Sequence, residues 1–352
     1  MKAFVITGYK KDLIQAEVPE PVVGPNDVLV HVQAAGVNTL DEKIRLGEFA
    51  RILPYRLPLV LGNDVAGTVI RVGANVRSFS PGDEIYARPD QARIGTFAER
   101  IAVAERDVAR KPASISMDEA GSLPLVALTA WQALVEKGDV QPDQKVLIHA
   151  GAGGVGSIAI QLAKHLGATV ATTASARNAD FLRELGADVV IDYASQDFEE
   201  LLSGYDLVLD SRGGENLEKS LRVLRPGGKA IGIAGPPDPT FAHEAGLNPL
   251  LRLAISALSR RVRSQAHRLG VTYEFLLMKA SGDQLAEIAR LVDGGDIRPV
   301  VGRRFPFDET PLALRSLAEG GVRGKTVITD FGTPAGDHIS AASTHDTLKG
   351  RS

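Results

Sequence analysis

A glycine-rich turn between a strand-like and a helix-like segment carries the clearest chemistry in this chain. The aliphatic run Lys145–His149 ends at Ala150, glycines follow at positions 151, 153 and 156, and an apolar helical pattern comes next. This order suits a dinucleotide: the first glycine allows a tight turn, the second admits the phosphates and the third lets the helix pack on the strand. The free N–H groups of the helix then face the negative charge. Contacts are predicted from Gly151, Gly153, Gly154, Val155 and Gly156.

The residues after the next strand indicate which nucleotide binds. That strand, Ala168–Ala174, runs into Ser175 and Arg177. An NAD site places Asp or Glu here to bind the ribose 2′-hydroxyl, and this chain has neither. Ser175 and Arg177 can instead donate charge-assisted hydrogen bonds to a 2′-phosphate, which predicts NADP(H). In the alternative interpretation, Arg177 is only a solvated residue at a helix start.

The composition limits the class of protein. The chain has 352 residues, of which 44% are hydrophobic, and such a length predicts two domains. A formal net charge of −3 predicts no nucleic-acid or membrane partner. The absence of cysteine excludes disulfides, thiolate metal sites and cysteine nucleophiles. With no apolar signal core at the N-terminus and no membrane-length apolar run, the expected location is the cytoplasm.

The chain shows two kinds of secondary-structure pattern. Short β-rich runs separated by Pro, Gly, Asn and Asp fill the first third, which predicts a barrel-like unit. From about Leu123 strands alternate with helices, which predicts an α/β doubly wound parallel sheet. The β-rich pattern returns after Arg298. The predicted units are residues 1–122 with 299–331, residues 123–298, and a loose tail at 332–352.

Several segments resemble the medium-chain dehydrogenase/reductase superfamily. They follow one another in the family's order along almost the whole chain: Val32–Asp41, Leu61–Gly67, Pro81–Tyr86, Gly95–Glu99, Leu123–Ala133 and Gly324–Val327. The resemblance implies a GroES-like domain split around a Rossmann domain. It is strongest to the zinc-free, NADPH-dependent quinone oxidoreductases and the plant-type alkenal (enone) reductases.

The zinc-ligand positions of related alcohol dehydrogenases carry other residues here. The resemblance places one ligand, a cysteine, in the loop matched by Gly36–Asn38 and another in the segment matched by Gly62–Asp64. Zinc prefers thiolate, imidazole or carboxylate ligands, and of these only Asp64 remains nearby. The seven histidines are scattered. No metal site is therefore expected.

A site with no metal ligands and no positioned base suits a substrate that is already electron-poor. Oxidation of an unactivated alcohol needs a Lewis acid or a positioned base. For a quinone or an α,β-unsaturated carbonyl, NADPH can deliver hydride, the carbonyl takes the charge and water can supply the proton. The predicted function is therefore NADPH-dependent, zinc-independent reduction of quinones or enones. A non-catalytic NADP-binding scaffold and a zinc-independent alcohol or aldehyde reductase remain alternatives.

Candidate catalytic donors lie between Asn38 and Arg45. The alkenal-reductase branch usually reads Asp-x-Lys-x-Arg, which Asp41, Lys43 and Arg45 match. By resemblance, the Lys43 ammonium would bond the nicotinamide end of the cofactor or the substrate carbonyl, and Asn38 is the second candidate. Alternatively, Lys43 and Arg45 form a charge-paired, solvated helix face, and Asn38 only satisfies backbone groups in a turn.

Other cofactor contacts are implied by the resemblance. Thr129 matches a threonine near the nicotinamide ribose and phosphates, and Tyr193 matches a tyrosine at the 2′-phosphate end. Gly235 and Ser211 follow strands, at the sheet edge where open α/β sheets bind ligands. Lys325 would close the site from the returning segment.

Two further segments bear on partners. Residues 271–278 match the family's last Rossmann strand, which often lies at a dimer seam, so a homodimer is expected. Residues 236–269 are long for a connection between strands and combine an apolar helical pattern with a basic end. They predict either a lid over the substrate or an amphipathic surface helix with a solvated basic end.

Overall fold

The computed structural model describes residues 1–50 and 52–332. The tail predicted from residue 332 onward therefore lies, except for its first residue, outside the described residues. The described strands are β1 Lys2–Ile6, β2 Ile14–Glu17, β3 Asp27–Val37, β4 Leu59–Val60, β5 Val65–Val72, β6 Glu84–Ala87, β7 Arg100–Ala104, β8 Val108–Arg110, β9 Lys145–Ile148, β10 Thr169–Ala174, β11 Val189–Asp192, β12 Tyr205–Asp210, β13 Leu224–Gly232, β14 Thr272–Phe275, β15 Val301–Pro306 and β16 Lys325–Thr329.

Helices connect most of these strands. Those described are α1 Thr39–Leu46, α2 Met117–Gly121, α3 Pro124–Trp131, α4 Gly154–His165, α5 Ala179–Glu184, α6 Phe198–Leu201, α7 Gly214–Val223, α8 Pro239–Glu244, α9 Pro249–Leu258, α10 Arg260–Arg268, α11 Gly282–Asp293 and α12 Thr310–Glu319. A π-helical stretch, Gln132–Lys137, continues α3. No described helix has the length and apolar character to cross a membrane.

The GroES-like unit is built around β3, whose residues are buried along nearly all of its length. Its larger sheet runs β15-β16-β3-β5-β6-β8, with β7 also paired to β3, and a smaller sheet runs β2-β1-β4. The late strand β16 pairs antiparallel with β3. Because of this pairing, the C-terminal piece completes the first sheet, which supports our proposed division into 1–122 with 299–331 and 123–298.

The Rossmann-like unit has a six-stranded parallel sheet in the order β11-β10-β9-β12-β13-β14. The chain runs outward from β9 to β11 and then crosses over to β12, so the strand order reverses between β9 and β12. Ligands bind at the carboxyl ends of the strands beside such a switch point. The glycine turn directly follows β9, which places it at this position.

Strands β9 and β10 lie within one residue of the strand segments predicted at 145–149 and 168–174. The short strands β2, β4 and β8 were not predicted. These three contain two to four residues and lie at sheet edges. Such short segments show no periodicity and form only because a partner strand supplies hydrogen bonds. Residues 236–269 form three helices, α8 to α10, and not a single amphipathic one.

Candidate functional site

A cleft of about 420 Å³ separates the two units. Its floor is the carboxyl edge of the parallel sheet, where Ala150, Ser211 and Ala234 follow β9, β12 and β13. The other wall comes from α1 and the returning segment. Among the sequence-predicted residues, those lining the cleft are Asn38, Lys43, Thr129, Gly153, Gly154, Val155, Gly156, Ser211 and Lys325.

The glycine turn fits a closely approaching phosphate group. Helix α4 begins at Gly154 with Gly153 at its N-cap, so its free N–H groups point into the cleft. A Cβ on Gly156 would lie 2.4 Å from the Ala150 carbonyl oxygen, and one on Gly151 would lie 2.1 Å from Thr172 Oγ1. Gly151 is outside the cleft lining, so the contact it makes is packing of the turn against β10.

The two cationic side chains of helix α1, Lys43 and Arg45, have different surroundings. Lys43 lines the cleft. Arg45 instead forms a bidentate pair with Glu42, with both N···O distances 2.7 Å, and donates to the Lys11 carbonyl oxygen at 2.8 Å. The alternative of a charge-paired face therefore describes Arg45, whereas Lys43 is directed toward the proposed reaction space.

A buried polar cluster lies behind the cleft. Asn38 Nδ2 donates to Asp64 Oδ2 at 2.8 Å and to the Gly36 carbonyl oxygen at 3.3 Å. The Lys325 ammonium donates to Asn38 Oδ1, to the Val37 carbonyl oxygen at 2.8 Å and to Asp64 Oδ2 at 3.4 Å. The second oxygen of Asp64 accepts the Leu125 N–H at 2.7 Å. Four segments that are distant in sequence thus meet at one buried ion pair.

Burial shifts the pKa values of Lys325 and Asp41 in opposite directions. Desolvation lowers the pKa of Lys325, although the nearby carboxylates of Asp64 and Asp41 oppose the shift. Desolvation also raises the pKa of Asp41 to about 6, although hydrogen bonds from Asn63 and the Asn38 backbone favour its ionised form. The Asp41 carboxyl is fully buried and accepts the Asn38 N–H at 2.7 Å, which gives it a structural role at the start of α1.

The residues at this position do not fit zinc. Both carboxylate oxygens of Asp64 already accept hydrogen bonds, and an ammonium group occupies the space between Asp64 and Asn38. Zinc requires several thiolate, imidazole or carboxylate ligands. Across the described ranges 1–50 and 52–332, no three His, Cys, Asp or Glu side chains converge on one point.

The residues predicted to bind the 2′-phosphate lie at the outer edge of the same sheet. Ala174 and Asp192 are register partners of β10 and β11, so Ser175 and Tyr193 emerge side by side. Both Arg177 and Tyr193 are exposed there, and none of these three residues belongs to the cleft lining. They form a second, open part of the predicted coenzyme site.

Sequence reasoning missed Arg323 at this edge. Its guanidinium donates to the Arg177 carbonyl oxygen and to Asn178 Oδ1, each at 2.9 Å, and lies over the Phe181 ring. A second arginine therefore accompanies Arg177 from a segment 146 residues later. The returning segment also lines the cleft at 320–322, where glycines gave no periodic signal.

The other predicted contacts are placed as follows. The Thr129 hydroxyl donates to the Leu125 carbonyl oxygen at 2.7 Å within α3, and the Ser211 hydroxyl donates to the His149 carbonyl oxygen at 3.3 Å. Gly235 packs under Tyr273, since a Cβ on it would lie 2.4 Å from the Tyr273 hydroxyl oxygen. Ile233 and Ala234 line the cleft beside it.

Known proteins match the chain along most of its length. A family model for the alcohol dehydrogenase GroES-like domain matches residues 24–113, and one for zinc-binding dehydrogenases matches residues 185–328. A zebrafish (Danio rerio) protein named NAD(P)H oxidoreductase RTN4IP1, mitochondrial, is 35% identical over 94% of this chain and 91% of its own length. The chain belongs to the medium-chain dehydrogenase/reductase superfamily.

Relatives within this superfamily indicate which kind of oxidoreductase the chain is. An Arabidopsis thaliana NADPH-dependent alkenal/one oxidoreductase, chloroplastic, is 33% identical over 93% of this chain and 79% of its own length. A quinone oxidoreductase structure from Coxiella burnetii has a TM-score of 0.80 at 32% identity, covering 94% of this chain and 99% of that one. An Escherichia coli quinone oxidoreductase complexed with NADPH has a TM-score of 0.76 at 25% identity, covering 94% and 100%. The chain is an NAD(P)H-dependent oxidoreductase of the quinone and alkenal reductase type.

The same relatives correct the predicted location. The cytoplasmic expectation is wrong by this comparison, because the zebrafish relative is named mitochondrial and the Arabidopsis relative chloroplastic. The expectation depended on the absence of an apolar signal core. Mitochondrial and chloroplast transit peptides are amphipathic and contain no such core, so this criterion cannot separate the cytoplasm from these organelles.

The first prediction concerns the buried ion pair. Lys325→Met should lower the free energy of unfolding by about 3–5 kcal/mol, because it leaves the Asp64 carboxylate buried without its cation. Adding Asp64→Asn should recover part of that loss, and urea unfolding measures both variants. Lys43→Met, at a cleft lysine outside the cluster, is the control and should change stability by less than about 0.5 kcal/mol. Equal losses in the single and the double variant would contradict the pairing.

The second prediction concerns coenzyme choice in this superfamily member. Arg177→Ala should weaken NADPH binding by about 1.5–3 kcal/mol, the usual contribution of a hydrogen bond to a charged group, and leave NADH binding nearly unchanged. Arg323→Ala should weaken NADPH less, since it holds the Arg177 backbone. Fluorescence titration with each coenzyme gives the dissociation constants. Arg183→Ala, an exposed arginine on α5, serves as the control, and equal weakening of both coenzymes by Arg177→Ala would refute the assignment.

Proposed function

We propose that this enzyme uses NADPH to reduce quinones or α,β-unsaturated carbonyl compounds in the cleft between its two units. The observation that carries the proposal is Lys43, a cation that lines the same cleft as the glycine turn, while Arg45 on the same helix is paired with Glu42. A positioned cation suits a substrate whose oxygen gains negative charge during the reaction.

The chain offers a separate group for each part of the coenzyme. The N-terminus of α4 would receive the pyrophosphate, and Ser175, Arg177 and Tyr193 would receive the 2′-phosphate. Thr129 and Ser211 line the cleft near the sheet edge and would contact the nicotinamide half. When bound, NADPH supplies a hydride from its nicotinamide ring.

Apolar residues make up much of the substrate end. Leu40, Phe49 and Val126 line the cleft on the GroES-like side and at α3, and Phe275 lines the opposite side. Such walls exclude water and strengthen the attraction between the Lys43 ammonium and a developing oxyanion. They also suit the hydrocarbon body of an enone or quinone.

Asn38 is proposed as a positioning residue. Its amide nitrogen already donates twice inside the protein, and its oxygen accepts from Lys325. It therefore has little donor capacity left for a substrate. Its contribution would be to hold the Lys325 ammonium and the loop that precedes α1.

The third prediction concerns the reaction. NADPH oxidation should be supported by quinones, 2-alkenals or cyclic enones, while simple ketones stay inert, because conjugated acceptors spread the developing charge themselves. Lys43→Ala should lower kcat/KM by about a hundredfold if it binds the oxyanion, and by about tenfold if it contacts only the coenzyme. Arg45→Ala, on the same helix but paired with Glu42, is the matched control and should leave kcat/KM within about twofold.

Product analysis decides the assignment. A saturated carbonyl or a hydroquinone supports it. An allylic alcohol formed from an enone would contradict C=C reduction and favour an aldehyde reductase. Unchanged kcat/KM in Lys43→Ala would remove Lys43 from the mechanism.

A further inference from the structure

Helix α9 has apolar side chains on both of its faces. On the inner face, Leu251 and Ile255 pack into a small cluster with Ala242 and Leu247. On the outer face, Leu250, Leu253 and Leu258 are 80%, 70% and 64% exposed. Together with the exposed Ala254 and Ala257 they occupy positions i, i+3, i+4, i+7 and i+8, which form one stripe along a helix. Contiguous exposed apolar surface of this kind marks an interaction site.

The same part of the chain is strongly basic. Residues 245–273 contain five arginines and no aspartate or glutamate, although the whole chain has a formal net charge of −3. Arg260, Arg261 and Arg268 on α10 are exposed, and they begin two residues after the last leucine of the stripe. Arg261 also pairs with Glu218 of α7 at 2.9 Å, so Arg260 and Arg268 contribute most of the exposed positive charge. The overall charge, which predicted no membrane partner, therefore conceals a local excess of positive charge.

We propose that the α9–α10 face, formed by the apolar stripe and these arginines, docks on an anionic lipid bilayer. Leucines on a surface helix insert at the boundary between headgroups and acyl chains, while neighbouring arginines bind the anionic headgroups. A second copy of the chain suits this face poorly. A twofold interface would place the arginines of one copy against those of the other. Residues 245–273 contain no carboxylate to neutralise them, and Glu218 of α7 pairs with Arg261 alone among these three arginines.

The α9–α10 face lies close to the cleft, so docking would bring the cleft near the bilayer. Phe241 of α8 packs edge-on against Phe275, with ring centroids 5.2 Å apart, and Phe275 lines the cleft. Ile52, close in sequence to the cleft residue Phe49, packs against the same small cluster that the inner face of α9 joins. A bilayer-dissolved quinone or enone would therefore leave the membrane beside the cleft. This consequence rests on the proposed function, whereas the docking itself does not.

Vesicle flotation of the purified full-length chain, without substrate, tests the docking. One set of vesicles contains phosphatidylcholine with about 30% phosphatidylglycerol, and the other contains phosphatidylcholine alone. Anionic headgroups attract nearby arginines, and neutral ones do not. The protein should float with the anionic vesicles and remain largely unbound with the neutral ones. High salt should weaken the binding. Absence of binding to anionic vesicles, or equal binding to both sets, overturns the proposal.

Matched variants separate the two parts of the face. Leu250→Glu with Leu253→Glu should reduce vesicle binding by at least about tenfold. Arg260→Ala and Arg268→Ala should each reduce it by about fivefold. Leu312→Glu replaces a half-exposed leucine on α12 and should change nothing, while unchanged NADPH affinity shows that each variant is folded.

Two results would assign the face differently. If the leucine variants bind vesicles as well as the unmodified chain does, the stripe is not the docking surface. If light scattering shows a dimer that Leu253→Glu converts to a monomer, and the protein does not bind vesicles, the face joins two copies and the proposal is overturned. An enzyme that binds vesicles but reduces neither quinones nor enones would refute only the proposed function.

Discussion

The ion pair between Lys325 and Asp64 holds together the parts of the molecule on which the site depends. A carboxylate that is removed from water is stable only when its charge and its hydrogen-bonding capacity are both satisfied. Here one Asp64 oxygen meets Asn38 and Lys325, and the other accepts the Leu125 N–H at the start of α3. The start of α3 is a region of positive potential, which suits a carboxylate. One side chain thus fixes the substrate unit, the coenzyme unit and the returning strand relative to one another.

This arrangement also explains how a fold shared with zinc enzymes can accommodate other residues at the metal position. An ammonium group brings a single positive charge and three N–H donors, and in this chain all three donate within the cluster. Lys325 therefore cannot polarise a substrate as an open metal site does. In the proposed reaction the developing charge on the substrate would need another cation, and Lys43 lines the cleft. The buried lysine stabilises the geometry, and the half-buried one is available for chemistry.

The sequence predicted the parts of the fold that local patterns encode. The strand, glycine turn and helix around Gly151–Gly156 were predicted because each glycine has a steric reason to be there. Arg323 was missed, since its proximity to Arg177 arises only when β16 pairs with β3. The outward orientation of Leu250 and Leu253 was missed for a related reason: the apolar pattern indicates a helix, but it cannot tell which of two apolar faces the core will cover. Contacts such as that of Lys325 with Asn38 span 287 residues, and no local pattern encodes them.

The late position of β16 in the chain has a consequence for how the site forms. The Gly324 N–H donates to the Ala152 carbonyl oxygen at 2.8 Å, so the end of the chain directly contacts the glycine turn. Gly324 has a φ of +68°, and a Cβ there would lie 2.0 Å from the Val300 carbonyl oxygen, so only glycine allows this approach. Lys325 then enters the buried cluster one residue later. Because residues of this segment form one wall of the cleft, we expect high-affinity coenzyme binding to require the completed β-sheet of the GroES-like unit as well as the Rossmann-like sheet that carries the proposed phosphate site.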